Sequence, residues 1–317
     1  MKAVQIHRFG GPEVLRLAHV PPPCASGTQD LVDVTFAGVN FSDLSRRSGG
    51  DGALSLPAVL GAKVVGRRRA DGRRVAALLP AGGGYAQVAA VERQWSVEVP
   101  EAVPDDEAVA VLEQGLTAWH GLVTVGRMTA GETVLVQAAA GGVGHLAIQL
   151  ARSLGAGRVI GLASTPAKRE FALACGADAV VDSTAPDLAG EVLAATDGEG
   201  VDLALESVGG AVLVAVHSTL RSFGRVVVIG AASDTPTAIH VDKLTQTSTG
   251  ILGFWLQQVL DDEELFASSA AHLLSLVAAG QLHPHVGLVL PLSEAGRAHA
   301  LLADRRMRGK VLLFAAS

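Results

Sequence analysis

Residues 132–155 read ETVLVQAAAGGVGHLAIQLARSLG. Three kinds of local chemistry follow one another in this stretch. Val134, Leu135 and Val136 form an apolar run, as a strand covered by helices on both faces requires. Ala138, Ala139, Ala140, Gly141, Gly142, Val143 and Gly144 make a glycine-rich turn. The remainder reads as a helix, expected to start near Gly142. Strand, glycine turn and helix in that order present backbone N–H groups and a positive dipole end to a diphosphate. The plainer alternative is a turn that only packs helix on strand. Val134–Ala151 carries no formal charge over 18 residues, but Gln137, His145, Gln149 and three glycines argue against a membrane span.

The next apolar run, RVIGLAS at 158–164, ends about twenty residues after Gly144. A site built for a free ribose 2′-hydroxyl carries Asp or Glu there. This chain has Ala163 and Ser164, followed by Lys168 and Arg169. A hydroxyl and two cations suit a 2′-phosphate, so NADPH is expected in preference to NADH. One of the two cations could instead belong to a solvated helix face.

Composition sets the outer bounds. The chain has 317 residues, room for two ordinary domains. Hydrophobic residues make up 49% and mean hydropathy is +0.37, which excludes a disordered chain. A net charge of −6 provides no basic field for nucleic acid. Cys24 and Cys175 are too few for a disulfide framework or a four-cysteine zinc site. Two free thiols and an N-terminus without an apolar leader core lead us to expect a cytoplasmic protein.

Residues 1–117 hold short β-like runs broken by Gly and Pro, such as KAVQIH, LVDVTFAGV and KVVGRRR. Residues 118–258 alternate strand and helix, which argues for an α/β class with a parallel sheet. DDEELFASSAAHLLSLVAAGQ at 261–281 reads as an amphipathic helix with an acidic first turn. VGLVLPL and GKVLLFA then return to β patterns, so residues 259–317 are expected to rejoin the first domain.

A family resemblance rests on FGGPEVL at 9–15, AGVNFSD at 37–43, GGGYAQ at 82–87, GLTAWH at 115–120, AAAGGVG at 138–144, ESVGG at 206–210, VVVIGAA at 226–232 and RGKVLL at 308–313. With these the chain resembles, end to end, the zinc-independent medium-chain dehydrogenases/reductases of the quinone oxidoreductase group. The resemblance implies a Rossmann doubly wound parallel sheet domain (118–258) and a GroES-like β-rich catalytic domain (1–117 and 259–317). It implies Asn40 at the nicotinamide ribose and Thr117 near the nicotinamide or phosphates. Ala140, Gly141, Gly142 and Val143 would hold the diphosphate. Ser164 and Lys168 would meet the 2′-phosphate, near Arg169 and Ser183. Gly230, Ala231 and Phe254 would lie along the nicotinamide. It also implies a homodimer joined through sheet edges. The zinc-dependent branch places Cys at or beside Asn40 and a His-Glu pair at Ala62-Lys63, so no metal is expected.

The chain departs from this family at several positions. Lys63 stands where relatives often keep Glu. Ser45 and Asp51 stand where they often carry tyrosine, and Ser183 replaces a tyrosine near the 2′-phosphate. Tyr85 is the only tyrosine. The hairpin VVGRRRADGRRVAAL turns at Asp71-Gly72 and carries five arginines, read as a charged sheet edge or, more sharply, as an anion site. Asp43 could orient a proton relay with Lys63, or cap a helix. His283 and His285 lack a third metal ligand. Trp119 is expected to pack, with His120 a weaker site candidate.

The expected activity is NADPH-dependent hydride transfer, without metal, to a quinone or to the activated C=C of an α,β-unsaturated carbonyl. Charge then develops on a carbonyl oxygen. Loss of the tyrosines favours quinones, whose reduced oxygens can take protons from solvent. The alternative is an NADP-binding protein or tailoring enzyme on the same scaffold without net redox turnover.

Overall fold

The computed structural model describes residues 1–50 and 54–315; Asp51 lies outside them. The chain divides into two compact units, Met1–Glu113 with Gln257–Ser317, and Gln114–Leu256. In chain order the first stretch holds β1 (Lys2–Ile6), β2 (Arg16–His19), β3 (Gln29–Val39), α1 (Phe41–Ser48), β4 (Ala58–Val59), β5 (Lys63–Arg68), β6 (Arg74–Leu78), β7 (Val88–Glu92), β8 (Ser96–Glu98) and α2 (Asp105–His120). The middle alternates β9 (Thr133–Val136), α3 (Gly144–Ser153), β10 (Arg158–Ala163), α4 (Pro166–Ala174), β11 (Ala179–Asp182), α5 (Leu188–Ala195), β12 (Val201–Glu206), α6 (Gly210–Ser218), β13 (Leu220–Val228), α7 (Val241–Thr247) and β14 (Gly250–Gly253). The tail adds α8 (Gln257–Leu260), α9 (Glu263–Ala278), β15 (Val286–Pro291), α10 (Ala295–Ala303) and β16 (Lys310–Phe314).

The middle strands form one six-stranded sheet in the order β11-β10-β9-β12-β13-β14, parallel throughout. This is the doubly wound order, with its switch point between β9 and β12. Leu135, Ile160, Leu162, Ala204 and Val226 bury against Leu188, Val192, Leu213 and Val216 of α5 and α6. The apolar runs read from sequence therefore became central strands. The stretch 134–151 splits into β9, a turn and α3. Among the described residues no helix is long and apolar enough to cross a membrane.

The other unit is built on a mixed sheet in the order β15-β16-β3-β5-β6-β8, with β7 also paired to β3. β16 runs antiparallel to β3, so the chain's last strand completes the sheet begun by its first part. Alternate residues Val32, Val34, Val39, Val64, Val75, Val311 and Leu313 fill its core. α9 presents Phe266, Ala270, Leu273, Leu274 and Val277 on one buried face, and Asp262 caps it by accepting the Leu265 N–H at 3.0 Å.

Two local readings needed correction. The helix after the glycine turn starts at Gly144, because the Gly141 N–H closes a turn onto the Ala138 carbonyl at 2.7 Å. The arginine hairpin is not a sheet edge: β5 lies between β3 and β6, and β6 between β5 and β8. Its arginines sit at the hairpin end; Arg67 donates to the Gly72 carbonyl and the other four meet acids. Arg68 pairs with Asp71 and Glu98, Arg69 with Asp33, Arg73 with Glu98 and Arg74 with Asp105. Such neutralisation leaves little field for an anionic partner.

Candidate functional site

In the parallel-sheet unit the glycine turn is anchored on both sides. The Ala139 N–H donates to the Leu162 carbonyl at 3.0 Å, and His145 Nδ1 meets the Gly141 carbonyl at 2.8 Å. Ala138 takes a left-handed φ of 51° to make the bend. A Cβ on Gly144 would stand 2.3 Å from the Ala138 carbonyl oxygen, so α3 starts flush against the turn. Among the described residues, the N–H groups of Gly142, Val143 and Gly144 meet no backbone acceptor. Three donors at a helix start, beside two residues, Gly141 and Gly142, that carry no side chain of their own, form a cradle that fits a diphosphate.

One strand over, Ala163 at the end of β10 lies beside Asp182 at the end of β11. The Ser183 N–H donates to the Ala163 carbonyl at 3.3 Å, which brings Ser183 next to Ser164. Thr165 caps α4 by accepting the Lys168 N–H at 3.3 Å, and so fixes where Lys168 leaves the helix. Arg169 is engaged by Asp182 at 2.8 Å. Ser164, Ser183 and Lys168 thus share one end of the sheet, with Arg169 tied back to the neighbouring strand. No carboxylate stands at the tip of β10 itself, so the donor set fits a phosphorylated ribose.

On the opposite side of the switch point, Gly230 and Ala231 follow β13 and Phe254 follows β14. The Phe254 N–H donates to the Val228 carbonyl at 2.9 Å, and its ring stacks on His120 with centroids 6.1 Å apart. Thr117 sits one turn earlier on the same helix. Ser207 donates to Gln137 Oε1 at 2.7 Å and ties the ends of β12 and β9 together. The Glu206 carboxylate behind them accepts the N–H groups of Val208 and Gly209, and burial raises its pKa.

In the mixed-sheet unit, Asn40, Asp43 and Lys63 come together, along with groups the sequence reading missed. Asn40 caps α1, and its N–H donates to Asp43 Oδ2 at 2.9 Å. Its side-chain oxygen accepts from Lys310 Nζ at 2.8 Å, and its Nδ2 donates to Glu113 Oε2. Asn40 is 3% exposed, Lys310 4%, and Asp43 and Lys63 are fully buried. Gly38 leaves room for the Lys63 stem: a Cβ there would stand 2.2 Å from Lys63 Cε. Burial first, then the neighbouring Lys310 ammonium, pushes the Lys63 amine well below its ordinary value. Lys310 is pushed down to about 8, mainly by burial, against the pull of Glu113 and Asp43.

Behind Asp43 runs a buried chain. Tyr85 donates its hydroxyl to Asp43 Oδ2 at 3.1 Å and meets His299 Nε2 at 3.0 Å, and Arg47 Nη1 reaches His299 Nδ1 at 3.3 Å. An Nε2–H tautomer of His299 satisfies both of its contacts, donating to Tyr85 and accepting from Arg47. Asp43 Oδ1 has no hydrogen-bond partner among the described residues, and burial raises the carboxyl to about 6. Among the described residues no group of three or more His, Cys, Asp or Glu could hold a metal ion.

The signals for these missed residues were faint but present. Lys310 opens an otherwise apolar strand, and His299 interrupts an Ala/Leu helix. A charge or imidazole within an otherwise buried pattern calls for a partner.

Comparison with known proteins places this geometry. Residues 142–273 match the family model described as zinc-binding dehydrogenase, a segment that contains neither Asn40 nor Lys63. A quinone oxidoreductase of Pseudomonas aeruginosa is 31% identical over 98% of this chain and 99% of its own. A 2-haloacrylate reductase of Burkholderia is 31% identical over 98% of each chain. The crystal structure of Escherichia coli quinone oxidoreductase complexed with NADPH superposes with a TM-score of 0.93 at 30% identity, covering 99% of this chain and 100% of that one. A full-length match at this identity, with a parallel-sheet unit and a mixed-sheet unit of matching fold, makes the chain a member of the zinc-independent medium-chain dehydrogenase/reductase family, quinone oxidoreductase group.

Proposed function

We propose that the protein is an NADPH-dependent oxidoreductase that reduces a quinone or the activated C=C of an α,β-unsaturated carbonyl, without a metal. The carrying observation is the cradle of Gly142, Val143 and Gly144 amides beside a β10 tip that offers Ser164 and Lys168 and no carboxylate. Kinship with a quinone oxidoreductase and a 2-haloacrylate reductase supports the reaction class. NADPH, when bound, supplies the hydride.

The chain's own residues do the rest. Ala140–Val143 and the start of α3 hold the diphosphate, with the Gly142, Val143 and Gly144 amides as donors. Ser164, Lys168 and Ser183 take the 2′-phosphate, with Arg169 backing them through Asp182. Thr117, Gly230, Ala231 and Phe254 flank the nicotinamide, and Asn40 meets its ribose. Asp43 and Lys63 are sealed from solvent, so they act by holding Asn40 and balancing charge. The sole phenol, Tyr85, is fully buried between Asp43 and His299. It is not placed to protonate a substrate, which favours a quinone, because its reduced oxygens take protons from water. A homodimer is part of the proposal: β14 ends its sheet, and Phe223, Leu252 and Trp255 near that edge are exposed. So is a cytoplasmic location, in keeping with two free thiols.

The test is loss of nicotinamide absorbance on mixing protein, NADPH and benzoquinone, with simple enones and 2-haloacrylate in parallel. Turnover with benzoquinone is expected. Tight NADPH binding with no oxidation across the panel would replace this proposal with a non-redox role on the same scaffold.

A further inference from the structure

The Asn40 side chain is gripped at both ends by groups far away in sequence. Its oxygen accepts from Lys310 Nζ at 2.8 Å, and the same ammonium donates to the Val39 carbonyl at 2.8 Å. Its amide nitrogen donates to Glu113. A carboxamide is nearly symmetric in shape, so sterics alone would not decide which end is oxygen. An ammonium can only donate and a carboxylate can only accept, so this pair dictates the orientation. Both contacts are charge-assisted and the cation is buried, where such bonds are strong. Asp43 fixes the backbone of the same residue through the Asn40 N–H. Lys63 neighbours Lys310, whose Nζ donates to the Val39 carbonyl and the Asn40 oxygen.

We propose that Lys310 and Glu113 are positioning residues that lock the Asn40 carboxamide in one orientation and thereby set the grip on the nicotinamide half of the cofactor. This rests on Asn40 meeting that half, as proposed above. The sequence provides an unusual probe: Asn40 is the only asparagine in the chain. Protein labelled with ¹⁵N-asparagine therefore shows one side-chain NH₂ pair.

In the parent the two protons are expected to be well separated and slow to exchange, and NADPH should shift them. Lys310→Met and Glu113→Leu should collapse the pair toward solvent positions and weaken NADPH about tenfold or more, the scale of one lost charge-assisted bond. Adenosine 2′,5′-bisphosphate, which lacks the nicotinamide ribose, should bind within about twofold of the parent, since it needs only the cradle and the β10 tip. Glu113→Gln keeps an acceptor and should restore most of the effect. If Lys310→Met does not fold, the partly exposed Glu113 pair carries the comparison. Folded variants with an unmoved NH₂ pair, with unchanged NADPH affinity, or with equal losses for both ligands would overturn the proposal. An Asn40 signal in the parent that ignores saturating NADPH would overturn instead the assignment of Asn40 to the cofactor.

Discussion

Replacing Gly144 with alanine tests the diphosphate cradle at its tightest point. The added Cβ would stand 2.3 Å from the Ala138 oxygen, 2.8 Å from the Ala138 carbonyl carbon and 2.8 Å from Ala139 Cα. All three are backbone atoms, and comfortable contact needs about 3.5 Å, so turn and helix must part by about 1 Å. Neither side yields easily. The turn is tied by Gly141 to Ala138 and by Ala139 to Leu162, and α3 buries Leu146, Ile148 and Leu150. Overpacking of this kind costs about 1–3 kcal/mol. In a chain of this size that is a fall in Tm of several degrees, about 2–4 °C per kcal/mol. The effect on binding should be larger. The amides of Gly142, Val143 and Gly144 can hold phosphate oxygens only within about 2.7–3.2 Å, so a shift of ~1 Å takes donors out of range. Two lost bonds of about 1.5 kcal/mol each amount to roughly 100-fold in Kd. Calorimetric titration with NADPH and a thermal melt read both quantities. A folded Gly144→Ala variant with the parent's Kd would refute the reasoning, because the cradle would not depend on that close approach.

Four further outcomes are expected. Lys168→Ala should weaken NADPH by about 10- to 100-fold and NADH little, since it removes one charge-assisted contact to the 2′-phosphate; equal losses in the two titrations would remove that role. Lys63→Met should raise stability at pH 7 by about 1–2 kcal/mol, because it removes a buried amine pressed against Lys310; the gain should shrink near pH 10.5, where the unfolded amine is neutral too, and denaturant melts at both pH values measure it. His299 is pushed down to about 3 from the ordinary histidine value of 6.5 by burial and then by Arg47, so the unfolded chain binds the extra proton in that window. The stability it contributes above pH 6.5 is therefore lost as pH falls toward 3, and His299→Gln should flatten that acid limb of Tm against pH. EDTA should leave NADPH oxidation intact; inactivation that zinc reverses would overturn the metal-free reaction.

Legibility from sequence followed how local the determining physics is. β9, the glycine turn and α3 were readable because an apolar strand, a glycine run and a helical period lie within two dozen residues. The same holds for α9, whose Asp262 cap and acidic first turn precede its buried face. The short strands β4 and β14 were not readable. β4 has two residues, and β14 begins and ends in glycine, so each exists through its neighbours and not through its own pattern. The buried cluster was half visible. Asn40, Asp43 and Lys63 stood out by motif, while Glu113 and Lys310 come from α2 and the final strand. Only the antiparallel pairing of β16 with β3, which sets Val311 against Val39, carries Lys310 to Asn40.

That pairing also explains how a lysine can occupy position 63. A buried amine beside a buried ammonium is costly unless carboxylates face them or a proton leaves. Both remedies are present. Asp43 and Glu113 pull both amines toward the charged form, while burial lowers both and the Lys310 charge lowers Lys63 further. Lys310 Nζ donates to the Asn40 oxygen, and this fixes the sense of that bond. The change at 63 therefore falls among the buried groups behind Asn40 and leaves the contacts of Asn40 to Lys310 and Glu113 in place.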